Sequence, residues 1–143
     1  MVTLQIFVDR FDAIEYHARK IASELLFKKS QEIVKLNRKQ LMEGKNTEDK
    51  IIQSGYSTPY ARKRKKKGLQ TRFVDLYFTG KFQKSLRGVK NIEGLDLDSD
   101  ADYEKYLRGN YPEIMGLNKV DAEMIAQSIA DELAKEIKTY LIK

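Results

Sequence analysis

The chain of 143 residues has no cysteine, no tryptophan, two prolines and one histidine. Without cysteine there is no disulfide framework, no thiolate metal site and no cysteine nucleophile, and the expected compartment is the cytosol. A single histidine, His17, excludes a multi-histidine metal site within one chain, and on a helix of mixed polarity it reads as an ordinary boundary residue. Long apolar runs are also missing. Nothing approaches the roughly 20 residues that span a bilayer, and Met1 to Arg10 has no apolar signal core, so no membrane role is expected. Nucleotide and hydrolase signatures fail in the same way. Lys81 follows Thr79 and Gly80, but the upstream glycine of a phosphate-cradling loop would fall at Asp75, and neither G-x-S-x-G nor G-x-G-x-x-G occurs. No catalytic residue, cofactor or metal is expected, and the chain reads as a protein without enzymatic activity.

What is present is charge, and it is concentrated. The 27 Lys and Arg against 21 Asp and Glu leave +6, and the run Arg62, Lys63, Arg64, Lys65, Lys66, Lys67 by itself accounts for that excess. Three readings are open for it: a solvated loop, a nucleic-acid contact with Tyr56, Tyr60 and Phe73 stacking on bases, or an arm that docks on an acidic neighbour. An acidic counterpart lies downstream in Glu93, Asp96, Asp98, Asp100, Asp102 and Glu104. The alternation of its aspartates invites comparison with a calcium loop. That loop needs glycine at its sixth position and glutamate at its twelfth, and here those positions hold Ala101 and Leu107. The cluster therefore reads as the solvent side of a strand and turn, with Leu95 and Leu97 turned inward, and its charge complements the basic run.

Apolar residues at 41% with eight tyrosines and six phenylalanines are enough for a folded domain, and the length suits one. The expected fold is α+β over a single domain, residues 1–143. It has a long N-terminal helix and a C-terminal helix packed on a small antiparallel sheet, with residues 45–72 as a protruding basic loop or arm. Val2, Leu4, Ile6 and Val8 alternate with polar residues and predict a short edge strand. From Asp9 or Asp12 the spacing of Ile14, Ala18, Ile21 and Leu25 predicts a helix that runs to about Glu43 or pauses near residues 28–30. Residues 85–92 and 95–98 predict a hairpin. Asn118 caps a last helix, with Asp121 at its third position. Behind that cap Ile125, Ile129, Leu133, Ile137 and Leu141 form one stripe. The adjacent column of Ala122, Ala126, Ala130 and Ala134 is expected to pack closely.

One set of spacings carries a resemblance. Leu76, Thr79-Gly80, Phe82 and Ser85-Leu86, then the hairpin, then Pro112, Gly116-Leu117, Asp121, Ile125, Ile129 and Leu133 resemble the phage virion morphogenesis, or tail completion, family. The motif residues are Thr79, Gly80, Ser85, Gly116 and Leu117. Where the family tends to place an aromatic and a histidine before a glycine, this chain has Tyr103, Tyr106 and Gly109. The resemblance implies a structural virion protein at the neck or tail top, present in the host cytoplasm during assembly. It implies a homo-oligomeric ring, hexameric or higher, that meets connector and tail-tube proteins, with the basic run docking on an acidic patch of the next subunit or touching packaged DNA without sequence preference. A small basic DNA-binding protein associated with packaging is the alternative expectation.

Overall fold

A computed structural model describes residues 4–142, and the fold is α+β. Helix α1 spans Leu4–Lys28 and α2 spans Ser30–Met42. The break between them is one residue, Lys29, and the ladder passes through it, with the Lys29 amide donating to Leu26 O at 2.9 Å and the Ile33 amide to Lys29 O at 3.0 Å. Of the two expectations for this stretch, the pause is the one realised.

The edge strand is not. Val2 lies outside the described residues, and Leu4–Val8 forms the first turns of α1. Leu4, Val8 and Phe11 also fall at i, i+4 and i+7, which suits a helix as well as alternation suits a strand. A helix satisfies its backbone internally, whereas a strand needs a neighbour to pair with.

Two strands, β1 (Arg87–Asn91) and β2 (Gly94–Asp98), pair antiparallel with Arg87 opposite Asp98 and Asn91 opposite Gly94. As expected, Leu95 and Leu97 face the core and Asp96 faces solvent. Ser23 of α1, itself buried, lies 2.7 Å from Asn91 O and 2.9 Å from Gly94 O, so its hydroxyl pins the hairpin turn to the long helix.

The core gathers Ile33, Val34 and Leu41 of α2 with Phe82, Leu86, Leu97, Leu107, Ile114 and Ile125. Helix α3 spans Thr58–Lys66, α4 Lys81–Lys84, α5 Glu104–Asn110 and α6 Lys119–Ile142. Asn118 caps α6 as its sequence predicts: its Oδ1 accepts from the Asp121 amide at 2.9 Å. The Asn118 amide donates to Gln40 near the end of α2 at 3.0 Å, and Tyr140 stacks on His17 of α1 at 3.9 Å. Helix α6 therefore runs back, antiparallel, along the rod made by α1 and α2. Beyond His17 the described part of α1 continues for 13 residues, about 20 Å at the helical rise, and most of this overhang passes the end of α6.

The alanine column departs from expectation. Ile125 and Ile129 are buried, but Ala122, Ala126, Ala130 and Ala134 are all exposed. Successive residues turn by about 100° around a helix, so one partner rod covers one stripe. The bulky isoleucines take that contact because they bury more apolar area than alanine does.

Candidate functional site

Residues 45–72 do not protrude as a loop. Their middle is α3, opened by Pro59 near its first turn, where the missing amide of proline costs nothing. The segment is tied back at several points: the Thr47 amide donates to Glu113 O at 2.8 Å and the Val74 amide to Gln53 O at 2.9 Å.

The strongest tie is Arg64. Expected on the partner-binding arm, it is 1% exposed and serves the chain's own interior. Its Nη2 lies 3.1 Å from Asp75 Oδ1 and 3.3 Å from Oδ2, its Nε donates to Gln70 O at 2.9 Å, and its Nη1 donates to Tyr77 O at 2.6 Å. Asp75, 2% exposed, is as fully engaged. It accepts from Gln70 Nε2 at 2.9 Å and from the Tyr77 amide at 2.9 Å, and the Tyr56 hydroxyl lies 3.2 Å away. A buried ion pair persists only when its remaining hydrogen-bonding capacity is met, and that condition holds here. The guanidinium also lies 4.4 Å from the centre of the Tyr56 ring, a cation–π contact. Burial, the larger cause, and the Asp75 carboxylate push the Tyr56 phenol up to about 12, against the opposing pull of the Asp75 amide and of Arg64.

Over this pair opens a cleft of about 590 Å³. Six of the eight tyrosines line it, from three separated segments: Tyr56 and Tyr60 from the start of α3 and the residues before it, Tyr77 beside Phe78, and Tyr103, Tyr106 and Tyr111 around α5. Tyr56 and Tyr60 meet edge to face at 5.2 Å, and Tyr60 tilts on Phe78 at 5.7 Å. Burial raises the Tyr111 phenol, helped by the neighbouring phenols of Tyr106 and Tyr60. Just outside the lining, Lys63 Nζ stands 5.3 Å and Lys67 Nζ 4.5 Å from the centre of the Phe78 ring, which does line it. Phe73 lies elsewhere, packed over Gly44, where an added Cβ would fall 2.3 Å from the ring.

Of the residues that carry the resemblance, Thr79 lines the cleft and Gly80, Ser85, Gly116 and Leu117 lie outside its lining. Gly80 has φ +84°, and a Cβ there would lie 2.8 Å from the Tyr77 ring, so glycine is what lets Tyr77 fold back towards α3. Thr79 Oγ1 accepts from the Lys81 amide at 3.3 Å, a local turn bond. Ser85 and Ser99 share a hydrogen bond of 2.6 Å. Gly116 O accepts from buried Asn37 Nδ2 at 2.8 Å, and Leu117 packs on the core at the mouth of α6.

The acidic cluster is largely neutralised inside the chain. Asp98 and Asp100 converge on Arg87, Asp102 meets Lys81 at 2.9 Å, and Glu104 meets Arg108. Asp96 accepts from Asn91 at 2.7 Å, and Glu93 is exposed at the hairpin turn. Among the described residues no group of three or more acidic or histidine side chains is arranged to hold a metal ion. The other five residues of the basic run, Arg62, Lys63, Lys65, Lys66 and Lys67, are exposed.

Sequence reading singled out Tyr56 and Tyr60 and missed the other aromatics of the cleft. The signal available was the clustering of tyrosines in short windows, Tyr56 with Tyr60 and Tyr103 with Tyr106 and Tyr111. No family model, curated protein or solved structure matches this chain.

Proposed function

We propose that this protein is a structural virion component of the tail completion kind, acting through contacts with further copies of itself and with neighbouring connector and tail-tube proteins. The observation that carries the reading is apolar surface left uncovered on both long helices. On the α1 overhang Phe11 is 68% exposed, with Val8 and Tyr16 also outside, and on α6 the alanine column, Val120 and Met124 are all exposed. Patches of this kind mark surfaces that meet another protein. A ring closed by rotation needs two different surfaces on each protomer, one for each neighbour. The overhang and the alanine side of α6 supply two. Exposed alanines let a second helix approach closely, and the five exposed cations of the basic run supply charge for setting register. The spacing of Thr79, Gly80, Ser85, Gly116 and Leu117 supports the same assignment.

The test is molar mass in solution by light scattering over a range of concentrations, alone and with connector and tube proteins, paired with electron microscopy. The expected result is a ring-sized species that falls to monomer in Phe11→Glu and Ala126→Glu, with circular dichroism unchanged because both positions are exposed. A wild-type chain that remains monomeric throughout, with and without those proteins, overturns the reading.

A further inference from the structure

The tyrosine cleft is not absorbed by the assembly reading, and three of its properties bear on what it takes. First, two of its six rings stay in water, Tyr106 at 67% and Tyr103 at 39% exposure, and the other four are only half-buried. Exposed aromatic faces are costly to hydrate and gain when another flat or apolar group covers them. Second, the rings are held in place. Tyr56 lies under a buried guanidinium, the backbone of Tyr77 is bonded at both its amide and its carbonyl, and Tyr103 Oη accepts from the Phe82 amide at 3.1 Å. A platform already ordered loses little entropy on binding. Third, α3, which lends Tyr60 and Arg64 to the lining, carries exposed cations beside the cleft. Thr58–Lys66 contains no acid, and the one cation that is neutralised, Arg64, faces inward.

Aromatic faces beside exposed cations suit an anionic ligand carrying flat rings. We infer that the cleft binds single-stranded nucleic acid, with bases stacking on the tyrosine rings and phosphates meeting the exposed lysines of α3 and Lys67 just after it. A duplex fits poorly, because its bases are already stacked and their faces hidden, whereas an unpaired strand offers them. The inference stands on the cleft alone and does not depend on the oligomeric state.

The absence of tryptophan makes the test direct, since the intrinsic fluorescence of the chain is that of its tyrosines and six of eight sit in the cleft. Titration with oligo(dT) and oligo(rU) should quench that fluorescence saturably, and anisotropy of a labelled oligo(dT) should give an affinity that falls with salt. Tyr106→Ala, an exposed position, should weaken binding about tenfold with the salt slope unchanged. Lys63→Gln with Lys67→Gln should reduce the salt slope by about 1.4, two phosphate contacts at ~0.7 each for a single strand. Ile92→Ala, an exposed position at the hairpin turn outside the cleft, should leave binding unchanged. The inference is overturned by no saturable binding at low salt, by a duplex binding as tightly as the single strand, or by a Tyr106→Ala variant as tight as wild type. Polyglutamate competing equally, with the same dependence on Tyr106, would also overturn it, in favour of an acidic protein partner.

Discussion

The rod made by α1, α2 and α6 and the lobe built around Arg64 reach stability by opposite routes. The rod relies on a repeat: Ile125 and Ile129 sit in one stripe, and each buries apolar surface independently of any single neighbour. The lobe relies on one charge pair whose partners come from several places in the chain, α3, Gln70, Asp75 and Tyr77, and which fails if any member is lost. A distributed interface tolerates local damage and leaves its spare surface free for other helices. A centred network cannot tolerate it, but it fixes the rings around it in one geometry, which is what a stacking platform requires.

The sharpest way to break this contrast is at Asp75. Asp75→Ala leaves Arg64 charged, buried and unpaired, and should cost about 3–5 kcal/mol in urea denaturation, with the cleft tyrosines losing their fixed environment in near-ultraviolet circular dichroism. Replacing both partners with apolar residues of similar volume, Arg64→Met with Asp75→Leu, should recover much of that loss. If the double replacement is as unstable as the single one, the pair is not the centre of the lobe.

In the rod the expected effect is smaller and graded. Ile129→Ala should cost about 2–4 kcal/mol, and Leu141→Ala, at a position 56% exposed, under about 0.5 kcal/mol. Equal losses at the two sites would mean that α6 is covered along its whole length in solution, and would strengthen the case for a partner on its outer side.

The same contrast explains what could be read in advance. Periodic packing leaves a periodic trace, so the α+β class, the presence of the hairpin and the cap at Asn118 were visible in spacing, and the helix pause was one of two readings left open. The strand expected at residues 2–8 failed because alternation over so few residues also contains the i, i+4 pair Leu4 and Val8. The alanine column misled because spacing identifies a face without saying how many neighbours are available to cover it. The lobe left almost no trace. A basic run with one member inside looks, residue by residue, like a basic run wholly outside, and nothing local distinguishes Arg64 from Lys63 or Lys65. Pairing Arg64 with Asp75 requires α3 to close against the turn at Gly80, an event set by tertiary contacts across eleven residues.

A smaller effect than the loss of Asp75 concerns the phenol that shares it. Because the Tyr56 pKa is raised in the folded chain from its ordinary 10 to about 12, the neutral phenol is the form the fold favours. Below pH 10 neither the folded nor the unfolded chain ionises it, and its contribution is complete. Between pH 10 and about 12 the unfolded chain gives up the proton first, so stability falls as pH rises, and the contribution is gone once the folded phenol ionises as well. Tyr56→Phe should therefore cost about 1 kcal/mol at neutral pH, the value of one hydrogen bond. The gap in melting temperature between the two proteins should then narrow across that alkaline window while lysine titration affects both alike. A gap that is constant with pH would place the Tyr56 hydroxyl in water, away from Asp75, and would leave the ion pair with one partner fewer than its burial demands.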